Sequence, residues 1–145
     1  MRDKKVLGLA EAQVAIQAII EEASKDPGRP MAIAVADDRG DIISLVRMDG
    51  ARPRFGEMAI KKAYTSAYNG RDTRKALEMR QKWDWGAYEP VGNDFTVIPG
   101  GLAIVKPGEA VVYGGIGTSG RAADEDEALA LVGLKALQDF LWPSQ

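Results

Sequence analysis

The sequence predicts an α/β (α+β) domain, an antiparallel sheet of about five strands with helices packed on it, in the order α-β-β-α-α-β-β-α. Three observations carry this. Two short apolar runs are each followed by a Gly-containing turn and a second run, which reads as two hairpins. Between and around them lie segments whose apolar residues recur at helical spacing. Hairpins separated by helices build an antiparallel sheet, because parallel neighbours would each need a crossover.

Leu9 to Ala23 places Leu9, Ala12, Ile16, Ile19, Ile20 and Ala23 on one helical stripe, and Asp26-Pro27-Gly28 stops it. Met31 to Ala36 is a continuous apolar run, the mark of a strand buried on both faces. Asp37-Asp38-Arg39-Gly40 turns it into a second strand, Ile42 to Met48. Phe55 to Tyr68 is a helix whose inner face is Phe55, Ala59, Ala63 and Ala67, ended by Asn69-Gly70. Asp72 to Lys82 is a more polar, surface helix. The stretch WDWGAYEPVGND carries two Trp and a Tyr and is expected to be irregular, to pack down and to serve as a substrate lid. An extra edge strand falls near Phe95 to Ile98. Leu102 to Val105 and Ala110 to Ile116 form the second hairpin around Lys106-Pro107-Gly108-Glu109. Gly117-Thr118-Ser119-Gly120 is read as a tight loop. Asp124 to Leu141 is the last helix, with Asp124 as its cap and Glu127 three residues on. No linker or repeat divides residues 1–145, which are taken as a single domain.

Composition excludes whole classes of chemistry. There is no Cys, so no disulfide, thiolate metal site or Cys nucleophile. There is no His, so the commonest general base and haem ligand is missing and no Ser-His-Asp triad can form. A net charge of −2 with scattered cations argues against nucleic acid as a partner. No apolar run nears the roughly 18 residues that span a bilayer, and the N-terminal residues lack a signal-peptide core, so a cytoplasmic protein with no membrane partner is expected.

Gly115-Ile116-Gly117-Thr118-Ser119-Gly120 matches the dinucleotide fingerprint G-x-G-x-x-G. Its strand is the second arm of a hairpin, not the opening of a βαβ unit. The next helix begins Asp124, Glu125, Asp126, Glu127, and four acids there repel a pyrophosphate. The glycines read instead as a sharp turn, with Thr118 and Ser119 offering hydroxyls to a small ligand. The four acids point in different directions around the helix, so capping and solvation explain them better than a metal. Arg47 shares strand parity with Ile43 and Leu45, which points it inward or toward a ligand. Lys62 borders the buried face of its helix. It is either a snorkelling lysine with its stem on the core or a cation at a pocket rim.

Taken together, these blocks resemble the GlcG/HbpS family, and also the PduO C-terminal domain. AIAVADDRGDIISLVRMDGA resembles the family's strand, D-x-x-G hairpin and strand ending R-M-D-G-A. AIKKAYTSA resembles its A-x-x-K-A-x-T-A helix, with Lys62 as the motif lysine and Thr65 as the motif threonine. PGGLAIV and GGIGTSGRAADEDEALALVGLKAL resemble its G-G-[VL]-P-[IV] strand and closing segment, although Ala103 stands where the family has proline and Thr118 where it commonly has valine. The resemblance implies a sheet-and-helix domain, homo-oligomers, and haem or small catabolic metabolites as ligands. It marks Arg47, Lys62, Thr65, Gly100, Gly101, Thr118 and Ser119 as ligand-binding residues.

Three functions are weighed. The first is a binder of a small anionic ligand, or of haem as a candidate cofactor, whose iron would need Thr118, a Tyr, Met48 or Lys62. The second is a lyase, isomerase or hydrolase acting on a small carboxylate, with Lys62 and Arg47 holding the anion and Asp49 or Glu57 moving a proton. The third is a protein-interaction module. The pocket is expected where the Thr118-Ser119 loop, the Pro99-Gly100-Gly101 bend, Arg47 and Lys62 converge. A homo-oligomer is expected because Leu129, Leu131, Val132, Leu134, Leu137, Phe140 and Leu141 cannot all face one sheet.

Overall fold

The structure is a computed structural model that describes residues 1–82 and 94–144. Its elements are α1 (Leu9–Ala23), β1 (Ala32–Asp37), β2 (Ile42–Arg47), α2 (Pro53–Asn69), α3 (Thr73–Lys82), β3 (Gly101–Val105), β4 (Val112–Ser119) and α4 (Ala123–Leu141). The strands form one sheet of order β2-β1-β4-β3, antiparallel at every pairing. The two expected hairpins are thus joined side by side through β1 and β4. The aromatic segment expected to pack down as a lid lies outside the described residues.

Among the described residues the sheet has four strands, not about five. Phe95 to Ile98 is not an edge strand. The Thr96 N–H goes to Thr65 Oγ1 at 2.9 Å, which holds this stretch against α2. The free edge of β3 has no room for a further ladder, because side chains already hold it. Thr73 Oγ1 accepts the Gly101 N–H (3.0 Å), Asp72 Oδ1 accepts the Ala103 N–H (3.0 Å), and Gln138 Nε2 donates to the Val105 carbonyl (3.0 Å). An edge closed in this way offers nothing to another strand.

The two faces of the sheet are built differently. Ile33, Val35, Leu102, Ile104 and Ile116 face α1 and α4 and form the large-residue core with Ile16, Ile19, Leu129 and Leu137. The other face is made of Ala32, Ala34 and Ala36 together with Gly115 and Gly117, against Ala59, Ala63 and Ala67 of α2. A Cβ on Gly117 would overlap the Ala59 carbonyl, and one on Gly115 would overlap that of Ala63. Small residues on both sides therefore let α2 lie almost on the backbone of β4.

That packing corrects the expected end of β4. Gly117 does not open a loop. The strand runs on to Ser119, with Gly117 paired to Ala34 and Thr118 to Ile33, and the chain turns only at Gly120 (φ +148°). Both neighbours of β4 are antiparallel, so the dinucleotide fingerprint sits outside the parallel setting it needs. Arg47 is also corrected. A bulge between Val35 and Ala36 breaks the parity of β2, so Ile43 and Val46 pack toward the large core while Leu45 and Arg47 are exposed on the opposite side.

The start of α4 differs from expectation as well. Its N-cap is Ala122, with no side-chain cap, and Asp124 lies inside the first turn. The acids are separated by ion pairing instead. Asp124 and Glu127 both meet Arg74 (2.5 and 2.8 Å), Glu125 meets Arg29 (2.7 Å), and Asp126 turns inward. The surplus of apolar residues on α4 is partly absorbed by α1. Gly133 admits Ile19 and Ala15, and a Cβ there would come within 2.5 Å of Ile19 Cδ1. Leu131 and Phe140 remain exposed.

Candidate functional site

The antiparallel ladder gathers the C-terminal ends of β2 and β4 and the N-terminal ends of β1 and β3 at one end of the sheet. Arg47, Ala32 and Ser119 form one row across it, and Leu45, Ala34, Gly117 and Gly101 the row two residues further in. α4 leaves from this end directly after β4, and α2 starts just after β2.

Lys62 reaches into this end from α2 and is 2% exposed. Its ammonium donates to the Thr118 carbonyl at 2.8 Å and to Asp126 Oδ2 at 3.3 Å. Asp126 belongs to α4, on the opposite face of the sheet, so the lysine side chain crosses from one layer to the other. Glycine makes the crossing possible. A Cβ on Gly100, which has φ +126°, would stand 2.8 Å from Nζ, and one on Gly101 would stand 2.5 Å from the Lys62 carbonyl. The second Asp126 oxygen accepts the Arg121 N–H at 3.0 Å. Thr118 Oγ1 donates to the Asp126 carbonyl at 2.5 Å, with the Gly100 carbonyl 3.2 Å away. Four segments are locked together here through one buried ion pair.

Burial pulls the Lys62 ammonium below its ordinary 10.5, and the Asp126 charge beside it pulls back. Burial likewise pushes Asp126 above 3.8, opposed by the Lys62 charge and by the Arg121 N–H. Each group is thus biased toward its neutral form and held charged by the other. A lysine ammonium has three donors. Among the described residues two acceptors engage it, which leaves one N–H for a further acceptor.

The other predicted site residues are dispersed. Gly100, Gly101 and Thr118 surround Lys62. Thr65 is fully buried and holds the Thr96 N–H. Ser119 is 6% exposed, on the α2 face of the sheet. Arg47, Asp49 and Glu57 are exposed, and among the described residues none of them is hydrogen-bonded or ion-paired to Lys62. Asp126 was not singled out by the sequence reading, which grouped it with the capping acids. The signal was present: a lysine on the buried face of an apolar helix requires a counter-charge.

A family model described as "Haem degrading protein HbpS-like" matches residues 7–135. The chain belongs to the HbpS-like family. It is 32% identical over 120 residues to Protein GlcG of Escherichia coli (strain K12), covering 82% of this chain and 85% of that protein. Among solved structures, a double mutant of HbpS from Streptomyces reticuli superposes with a TM-score of 0.82 at 28% identity, covering 94% of this chain and 90% of that one. A PduOC:Heme complex has the same fold, with a TM-score of 0.79 at 23% identity over 91% of this chain and 95% of that one. Among the described residues, no helix is long and apolar enough to cross a membrane.

Proposed function

We propose that this member of the HbpS-like family is a small-ligand-binding protein that takes an anionic metabolite at the sheet end beside Lys62 and Thr118. The observation that supports it is the buried Lys62 ammonium, fixed in direction by Asp126 and the Thr118 carbonyl and retaining one donor. An ammonium held in place in a low-dielectric setting binds an incoming carboxylate or hydroxyl oxygen more strongly than a mobile surface lysine does. The glycines at 100 and 101 keep side chains away from it. A net charge of −2 without a basic stripe fits a small-molecule partner better than nucleic acid.

Haem is carried by one structural relative, the PduOC:Heme complex. Haem is therefore the alternative ligand for this chain, and a haem titration read by its Soret band tests it. Of the iron ligands considered, Lys62 and Thr118 already meet protein partners at 2.5–3.3 Å, and Met48 packs against the large core. The enzymatic reading is less well supported than the binder, because Asp49 and Glu57 are both solvent-facing and unlinked to Lys62. Exposed Leu131 and Phe140 on α4 support assembly into a homo-oligomer.

Calorimetric titration with a series of two- to four-carbon carboxylates tests the reading. Binding should occur to the wild type and weaken at least about tenfold, about 1.4 kcal/mol, in a Lys62→Met/Asp126→Leu variant that keeps its fold. Equal affinity in the two proteins would remove Lys62 from the site.

A further inference from the structure

The connection from β4 to α4 is short, Gly120 to Ala122, and it is pressed against the start of β1. Gly120 stands at φ +148°, and a Cβ there would come within 2.7 Å of Met31 Cβ. The next residue, Arg121, engages two different parts of the fold at once.

Its guanidinium donates from Nε to the Arg29 carbonyl (3.1 Å) and from Nη2 to the Ala23 and Asp26 carbonyls (2.9 and 3.2 Å). These carbonyls belong to the end of α1 and the turn that follows it. α1 has no basic residue in its last turn, so the negative end of its dipole lacks a cation of its own, and Arg121 supplies one from 98 residues away. Among the described residues Arg121 forms no ion pair. Asp26 and Glu125 pair with Arg29 instead, both at 2.7 Å. The guanidinium is therefore spent on fixing geometry and not on neutralising an acid.

The main chain of the same residue serves the buried pair. The Arg121 N–H donates to Asp126 Oδ1 at 3.0 Å, and Asp126 Oδ2 meets Lys62 Nζ at 3.3 Å. A planar fork bonded to three carbonyls leaves the main chain at 121 little freedom to rotate, and a fixed N–H sets the rotation of the carboxylate it holds. We propose that Arg121 is the positioning residue of the Lys62 site. Clamped to the end of α1, it holds its N–H on Asp126, and Asp126 aims the ammonium. The end of α1 thus shapes the site without touching it. The consequence for binding rests on Lys62 being the anion site; the consequence for the ammonium itself does not.

Nitrogen-15 NMR of the lysine ammonium groups at pH 7 tests this without a ligand. The Lys62 signal is the one missing from Lys62→Met/Asp126→Leu. In the wild type it should stand apart from the surface lysines and exchange its hydrogens slowly, because two acceptors hold it. Arg121→Ala should move it toward the surface lysines and speed its exchange at least about tenfold. Arg121→Lys, a milder change that keeps the charge but not the fork, should move it the same way by less. Gly108→Ala strains the turn at the other end of β4 and should leave the signal in place, which separates positioning from lowered stability. Where a carboxylate binds the wild type, its affinity should fall at least about tenfold in Arg121→Ala and hold in Gly108→Ala. Absence of carboxylate binding removes the anion reading and leaves the NMR comparison to decide the positioning role. A Lys62 signal at its wild-type position in both Arg121 variants, or one displaced as far by Gly108→Ala, would overturn the proposal.

Discussion

Replacing Lys62 with Met removes the ammonium but keeps an unbranched chain that can follow the same path past Gly100 and Gly101. Asp126 then remains 2% exposed with its Oδ2 unpaired, holding only backbone N–H groups. Breaking one partner out of a buried ion pair costs about 3–5 kcal/mol, because the other charge stays buried. Against a total stability of about 5–15 kcal/mol this is a large fraction. With each kcal/mol worth about 2–4 °C at this chain length, Tm should fall by about 6–20 °C. Removing both charges in Lys62→Met/Asp126→Leu should restore most of the loss, since apolar replacement of a buried pair is often neutral or stabilising by about 1–4 kcal/mol. The restoration is reduced by about 1–3 kcal/mol for the Arg121 N–H left without its acceptor. Urea and thermal unfolding of the three proteins at pH 7 decide the matter. A single variant within about 1 kcal/mol of the wild type, or a double variant no more stable than the single, would refute the ion pair as the lock of this end of the sheet.

The close approach of α2 to β4 predicts that Gly117→Ala lowers stability by about 1–3 kcal/mol or more through overpacking. Gly108→Ala, in a turn at φ +82° with open space around it, should cost only about 1–2 kcal/mol; equal Tm values for the wild type and Gly117→Ala would contradict the packing. Because burial holds Lys62 below 10.5, the native protein loses this proton before the unfolded chain does. Its contribution to stability therefore rises with pH in the window below 10.5, and urea melts at pH 7 and pH 9.5 should show the wild type gaining on Lys62→Met/Asp126→Leu; a flat or falling difference would count against it. Light scattering on dilute protein should give a mass above 15.6 kDa, and Phe140→Glu should lower it; a single 15.6 kDa species in the wild type would refute assembly through α4.

Much of the fold was legible because periodicity is local. The stripe of α1, the apolar run of β1 and the Ala59-Ala63-Ala67 face of α2 each report burial within a few residues, and their elements fall where that spacing puts them. What failed was non-local. Gly117 looks like a turn residue in sequence, and only the approach of α2 explains it as a strand residue. The bulge between Val35 and Ala36 puts Ile43 on the opposite side from Leu45 and Arg47, and nothing within β2 announces it. The edge of β3 is closed by Asp72, Thr73 and Gln138, distant positions whose role appears only in three dimensions. In the site, Lys62, Gly100, Gly101 and Thr118 were marked by resemblance to the family, while Asp126 was hidden among four consecutive acids. Only its inward direction distinguishes it from Asp124, Glu125 and Glu127, which meet surface arginines.

Native mass spectrometry of the purified protein tests the central claim most directly, because it weighs the chain and any retained ligand together. The account predicts that wild-type protein, incubated with a binding carboxylate and exchanged into volatile buffer, shows one added ligand mass per 15.6 kDa chain. Folded Lys62→Met/Asp126→Leu, treated identically, should appear at its bare mass. The same adduct on both proteins, or on neither at ligand concentrations well above those of the titration, would contradict an anion site at Lys62.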